Sequence, residues 1–146
     1  MSKYSSTTHT TFNIGYHVVF SPKYRYNLLR YKAADVLKEL IQEKATELGI
    51  SIPAMEVMPD HVHLFVVAKP SLPIDTIVMQ LKGYTSYCLR HHFAYLRRYP
   101  SLWTRSYFVE TVGYISEKTV GNILKTKSQK RFHLPAEARR IPALIS

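Results

Sequence analysis

The chain has 146 residues, 46% apolar and 21% charged, with a single cysteine, Cys88. That is the balance of one globular domain; it excludes an internal disulfide framework and a cysteine-based zinc finger. Twenty Lys and Arg against ten Asp and Glu leave a formal charge of +10, which favours a polyanionic partner over an acidic or membrane-spanning role.

The charge is uneven: residues 1–73 carry eight basic and six acidic groups, residues 74–146 twelve and four, and residues 125–146 six and one. The longest apolar runs, such as Leu64 to Ala68, fall far short of the ~18 residues of a membrane span. Met1 to Ser5 place no apolar run behind their charge, so no signal peptide is expected and the expected location is cytoplasmic.

Residues 1–11 are Ser/Thr-rich and read as a loose arm. Phe12, Ile14, Tyr16, Val18 and Phe20 alternate, which predicts a strand ended by Ser21-Pro22. Residues 33–48 repeat apolar side chains at helical spacing, from Ala33 and Leu37 to Ala45 and Leu48, and Gly49 predicts the stop. Ile50 to Met58 is a second strand, and Pro59-Asp60 a turn. His61 to Ala68 is apolar on both faces and belongs in the middle of a sheet. A second helix is expected from Ile74 to about Phe93, with Thr85, Cys88 and Leu89 on its inner stripe and Lys82, Tyr84, Arg90 and His91 outside. Residues 94–103 read as a loop and Thr104 to Val112 as a last strand broken by Gly113. A terminal helix is expected from Ser116-Glu117. The order β-α-β-β-α-β predicts an α+β, ferredoxin-like antiparallel sheet with two helices on one face.

His61 and His63 are the chemistry-bearing pair. Residues two apart on a strand share a face at ~6.8 Å between Cα atoms, so two imidazoles converge there while Val62 points to the core. Such a pair suits a divalent ion with open positions for water or phosphate oxygens. His-x-His also arises by chance, with each ring satisfied locally. The turn and the central strand around this one favour the metal reading.

Four blocks extend the motif: Tyr16 to Arg25, Glu56 to Leu64, Leu81-Lys82-Gly83, and Leu102 to Gly113. In this order they resemble the single-tyrosine HUH transposases of small insertion sequences, the insertion sequence 200 type. The resemblance covers residues ~9–120 and implies a ferredoxin-like fold that forms a homodimer. It implies cleavage and rejoining of single-stranded DNA beside hairpins through a 5′-phosphotyrosine. It also implies magnesium or manganese on His61, His63 and a glutamine one helical turn beyond the nucleophilic tyrosine. The domain boundaries that follow are 1–120 for the HUH transposase-like domain and 121–146 for a divergent basic tail.

The tail departs from the family. The position of the tyrosine is Ile123, and that of the glutamine is Lys127. Isoleucine has no hydroxyl with which to attack phosphorus, and an ammonium repels a metal. One event accounts for both. Gly121 to Gln129 can be encoded as GGA AAT ATA TTG AAA ACC AAA AGT CAA. Regrouped from the third base, the same string reads Lys-Tyr-Ile-Glu-Asn-Gln-Lys-Ser, the run the family has there. A single-base deletion near codon 121 is the reading. Tyr114 is then a substitute nucleophile if its hydroxyl reaches the phosphate in line.

Lys23 and Arg25 after the first strand, Lys82 beside Gly83, and Arg105 and Tyr107 ahead of the terminal helix are the candidate DNA-binding residues, with Tyr24 or Tyr84 stacking on unpaired bases. A solvated charged face accounts for any one of them singly. His17 reads as a structural histidine, Cys88 as core, and Asp60 as either a turn residue or an orienting partner for a histidine. Three functions remain: a DNA transposase impaired at its nucleophile, a non-catalytic single-stranded DNA or hairpin-binding protein derived from one, and a metal-dependent hydrolase using water on the same histidines.

Overall fold

The computed structural model describes residues 12–23 and 28–116. Alternation sorts its strands. On β3 (His61–Ala68), Val62, Leu64, Val66 and Ala68 face one way, into a cluster shared with Tyr16, Val18 and Phe20 of β1 (Phe12–Phe20). The same cluster takes Leu37 and Ile41 from α1 (Lys32–Leu48) and Ile77, Val78, Leu81 and Leu89 from α2 (Ile74–His92). Both long helices therefore cover one face of the sheet. The odd-numbered residues of β3 face away, where Phe65 and Val67 meet Ala54 of β2 (Ser51–Met58) and Ile115 of β4 (Phe108–Ser116) in a smaller buried cluster. A short helix, α3 (Ala94–Arg97), follows α2, where the sequence predicts only a loop.

The strands run β2-β3-β1-β4, every neighbour antiparallel. This is the expected ferredoxin-like α+β arrangement, with β3 inside the sheet and β4 at an edge. Buried Thr85 keeps its place on the inner stripe because its hydroxyl donates to the Leu81 carbonyl at 2.7 Å and accepts the Trp103 indole N–H at 3.0 Å. Cys88, expected in the core, is only half-buried.

The last strand differs from expectation. It starts at Phe108 rather than Thr104 and runs through Gly113 to Ser116. Its start is delayed because the carbonyls of residues 104–106 bond to the Lys82 ammonium instead of a neighbouring strand. It survives Gly113 because the register slips between Gly15 and Tyr16, leaving Val112 as the extra residue, and Gly113 takes φ 122°, which glycine tolerates.

The arm 1–11, Tyr24, Arg25, the helix expected after Ser116, and the tail with Ile123 and Lys127 lie outside the described residues.

Candidate functional site

β2 and β3 meet at the two-residue turn Pro59-Asp60, which pairs Met58 with His61, Val57 with Val62 and Glu56 with His63. The turn places Asp60 beside the first histidine, whose Nδ1–H donates to Asp60 Oδ1 at 2.8 Å. In the neutral ring that bond leaves Nε2 of His61 as the nitrogen with a lone pair for a metal. His63 lies against it, ring centroids 4.6 Å apart at 55°. The two rings share the sheet face away from α1 and α2. His63 is buried at 1% exposure and His61 is half-buried, so access to the pair is from the His61 side. Among the described residues no three His, Cys, Asp or Glu side chains come together to hold an ion. The chemistry of the pair fits two nitrogen ligands of a divalent cation and no more, with further ligands left to solvent, phosphate or residues outside those described.

Glu56, facing His63 across the ladder, was legible in principle. A two-residue turn at 59–60 makes paired positions sum to 119, and 56 pairs with 63. His17 shares the open face, between Phe65 on β3 and Glu110 on β4. Its ring lies 5.4 Å from Phe65, burial pushes its imidazole below the usual range, and Glu110 partly opposes that shift. The Nδ1 of His17 is buried without a hydrogen-bond partner among the described residues, so the ring is held by packing rather than by the local hydrogen bonding expected of a structural histidine.

Tyr114 is not brought to the pair. It stands opposite Ile14, whereas His63 stands opposite Val19. Five residues of β1 separate these rows, about 17 Å along the strand. Ile14 also packs on the helix side of the sheet, and the Tyr114 ring rests on Phe12 at 4.4 Å. The substitute nucleophile therefore lacks an approach within its own chain.

The candidate phosphate contacts divide. Lys23 is exposed, and its backbone N–H donates to the Leu102 carbonyl at 2.7 Å while the Thr104 N–H donates to Ser21 O at 2.9 Å, so the 21–23 and 102–104 segments are tied together. Arg105 is exposed on the same loop. Lys82, expected to grip phosphate, instead donates to the carbonyls of Thr104 at 2.6 Å, Ser106 at 3.2 Å and Arg105 at 3.3 Å. Three carbonyls match the three N–H donors of an ammonium, and burial pushes its pKa down. Lys82 is a strut under the loop, 5.5 Å from the Tyr107 ring centroid. Tyr107 is half-buried and, with Trp103 and Arg105, lines a cleft of about 440 Å³ beside α2. Tyr84 is held through its hydroxyl, which donates to Glu43 at 2.8 Å. No helix among the described residues is long and apolar enough to cross a membrane.

Comparison with known proteins gives this arrangement a family. Residues 10–126 match the family described as transposase IS200 like. The chain is 35% identical over 117 residues to the ISDra2 transposase TnpA of Deinococcus radiodurans, covering 78% of this chain and 81% of that one. It is 32% identical over 120 residues to the transposase for insertion sequence element IS200 of Salmonella typhimurium, covering 77% and 76%. A solved structure of a candidate transposase from Deinococcus radiodurans R1 superposes with a TM-score of 0.68 at 32% identity, over 91% of this chain and 100% of that one. The fold is also that of a REP-associated tyrosine transposase solved on a REP hairpin, TM-score 0.54 at 13% identity, covering 84% and 68%. On the family match and the identity to named transposases, the chain belongs to the IS200-like transposase family.

Proposed function

We propose that this chain is a hairpin-binding, single-stranded DNA transposase homologue that keeps the histidine half of its metal site and has lost its nucleophile. The observation that carries the reading is the His61–His63 pair, ring beside ring on one sheet face with His61 oriented by Asp60. Hairpin DNA as the ligand is supported by the solved neighbour of this fold on a REP hairpin and by the net charge of +10.

In this reading His61 and His63 hold magnesium or manganese. When bound, the ion supplies Lewis-acid polarisation of a phosphate oxygen. Asp60 keeps the His61 tautomer and orientation, and burial keeps the His63 ring from turning. Lys23 and Arg105, on the two tied loops, and Arg25 supply charge to phosphates. Tyr107 offers an aromatic face. Lys82 serves the DNA through the loop it holds. In the family reaction a tyrosine oxygen bonds to phosphorus, the strand's 3′ oxygen leaves, and a 5′-phosphotyrosine stores the bond for rejoining. Ile123 has no oxygen for this step. The family match reaches residue 126 and so crosses that position. A frameshift near codon 121 accounts for Ile123 and Lys127 together, with residues 121–146 as the altered tail. A homodimer completes the reading.

The test is a denaturing gel of the full chain incubated with manganese and a hairpin-bearing single strand. The expected result is binding by anisotropy with neither adduct nor cleavage. A covalent adduct means that another tyrosine serves; cleavage without adduct means that water does, the hydrolase reading. Codons 121–129 that do not regroup in the shifted frame end the frameshift account. Light scattering that gives a monomer mass ends the dimer.

A further inference from the structure

We propose that a cleft between the start of α1 and α3 binds an unpaired nucleotide of the single-stranded DNA; this rests on the DNA-binding reading above and adds a site to it. The cleft has a volume of about 370 Å³ and is lined by Arg30, Tyr31, Lys32, Phe93 and Tyr95, a size within the ~300–1,000 Å³ range of small-ligand pockets.

Its chemistry is that of a single-strand platform: aromatic faces for the base and cations for the backbone. Arg30 and Lys32 are exposed at its rim, Tyr31 is 84% exposed and Tyr95 40%. The Tyr31 ring is presented by its backbone, which takes φ 54° and ψ −125°, a conformation uncommon for a side chain of this size. Tyr95 is fixed from below, its hydroxyl donating to the Leu28 carbonyl at 2.7 Å. Phe93 and Tyr95 stand edge to face at 6.1 Å. Burial pushes the Tyr95 phenol up while the Arg30 charge pulls it down, which places that guanidinium near the same cleft. Arg97 and Arg98 add exposed positive charge on α3 and just after it. Asp35, in the first turn of α1, is the one carboxylate from residue 28 to 36.

One wall of the cleft is also tied through the backbone to the turn that precedes the histidines. The Leu29 N–H donates to the Pro59 carbonyl at 2.9 Å. The segment bearing Arg30 and Tyr31 is thus bonded to the turn whose next residue, Asp60, orients His61. A paired base has both faces covered in its stack; an unpaired one offers a face to Tyr31, so the cleft selects single-stranded flank over hairpin stem.

The experiment uses the full chain and two labelled oligonucleotides, a blunt hairpin and the same hairpin with a single-stranded thymidine tail. The variants are Tyr31→Gly, which removes the ring at a position whose φ suits glycine, and Arg30→Gln. The tailed hairpin should bind more tightly than the blunt one. Tyr31→Gly should weaken the tailed complex at least about fivefold, the value of one base–aromatic stack, and leave the blunt complex unchanged. Arg30→Gln should reduce the salt slope for the tailed probe by about 0.7, one phosphate contact on a single strand. Iodouracil in the tail should photocrosslink to the peptides holding Tyr31 or Tyr95. Tail-independent binding, equal losses on both probes, or crosslinks elsewhere overturn the cleft and leave the DNA reading standing. An intact chain that binds neither probe overturns both.

Discussion

β3 and β4 pair with opposite sides of β1 and follow different rules. Seven of the eight β3 residues are buried, whereas β4 has one buried residue in nine. Burial on both faces leaves β3 no freedom of register, because a slip of one residue would exchange the helix-side row for the histidine row. Among the described residues β4 pairs on one side only; it carries a bulge and a positive-φ glycine, and its start is set by a lysine from α2. The rigid strand carries the histidine pair. The adaptable edge strand leads to the segment where the family keeps its nucleophile. Metal ligands on a buried strand stay in place after that segment is lost, which is the state proposed for this chain.

The largest expected effect tests that division. Ile123→Tyr with Lys127→Gln should restore a covalent DNA adduct at a rate at least about a thousandfold above the unmodified chain, a small part of ordinary enzymatic acceleration. Adding His61→Ala should return it to background with hairpin binding retained. A denaturing gel and anisotropy read the two outcomes. If a chain whose whole tail from codon 121 is returned to the shifted frame also stays inert in the presence of manganese, β3 does not carry a working half-site.

Next is the strut that sets the β4 start. Lys82→Met removes the donors from three carbonyls and should cost about 1.5–3 kcal/mol in urea unfolding, with faster amide exchange around residues 104–108. An unchanged protein would mean that the loop holds itself. Gly15→Ala tests the β1–β4 crossing, where an added Cβ would lie 3.0 Å from Ile115 and 3.1 Å from Phe65. The expected loss is about 1–3 kcal/mol from overpacking. Gly113→Ala meets no atom within 4 Å, so its cost comes from φ 122° alone. Similar losses for a side chain at Gly113 and at the crowded Gly15 would make strain, not packing, the cause.

A pH effect comes from His17, between the two strands. Its pKa in the fold lies below the ordinary 6.5, so the unfolded chain takes up the proton first as pH falls. Stability from this group is full above about 6.5 and is lost below it, down to the depressed folded value. Glu110 opposes the shift and reduces the effect. His17→Gln should flatten the urea-midpoint profile in that window; an unchanged profile would remove His17 as its source. The smallest effect is expected at Tyr84, whose phenol is pushed up to about 12, chiefly by its bond to Glu43. Glu43→Gln should bring the phenol back toward 10 in an ultraviolet titration, with little change in stability because the pair is exposed.

The chain alone determined the strand and helix order, the interior place of β3 and the shared face of His61 and His63. Each of these follows from periodicity, two residues per repeat in strands and 3.6 in helices, and periodicity is local. Other features depend on partners distant in sequence. Lys82 reads as a surface cation until the 104–106 carbonyls fold over it. Gly113 reads as a strand end until the Gly15 bulge absorbs it. Tyr114 reads as a neighbour of the site until the register places it five residues along β1 from the His63 row. Hydrogen-bond acceptors and strand register come from residues twenty to a hundred positions away, so only the assembled fold decided where those three side chains act.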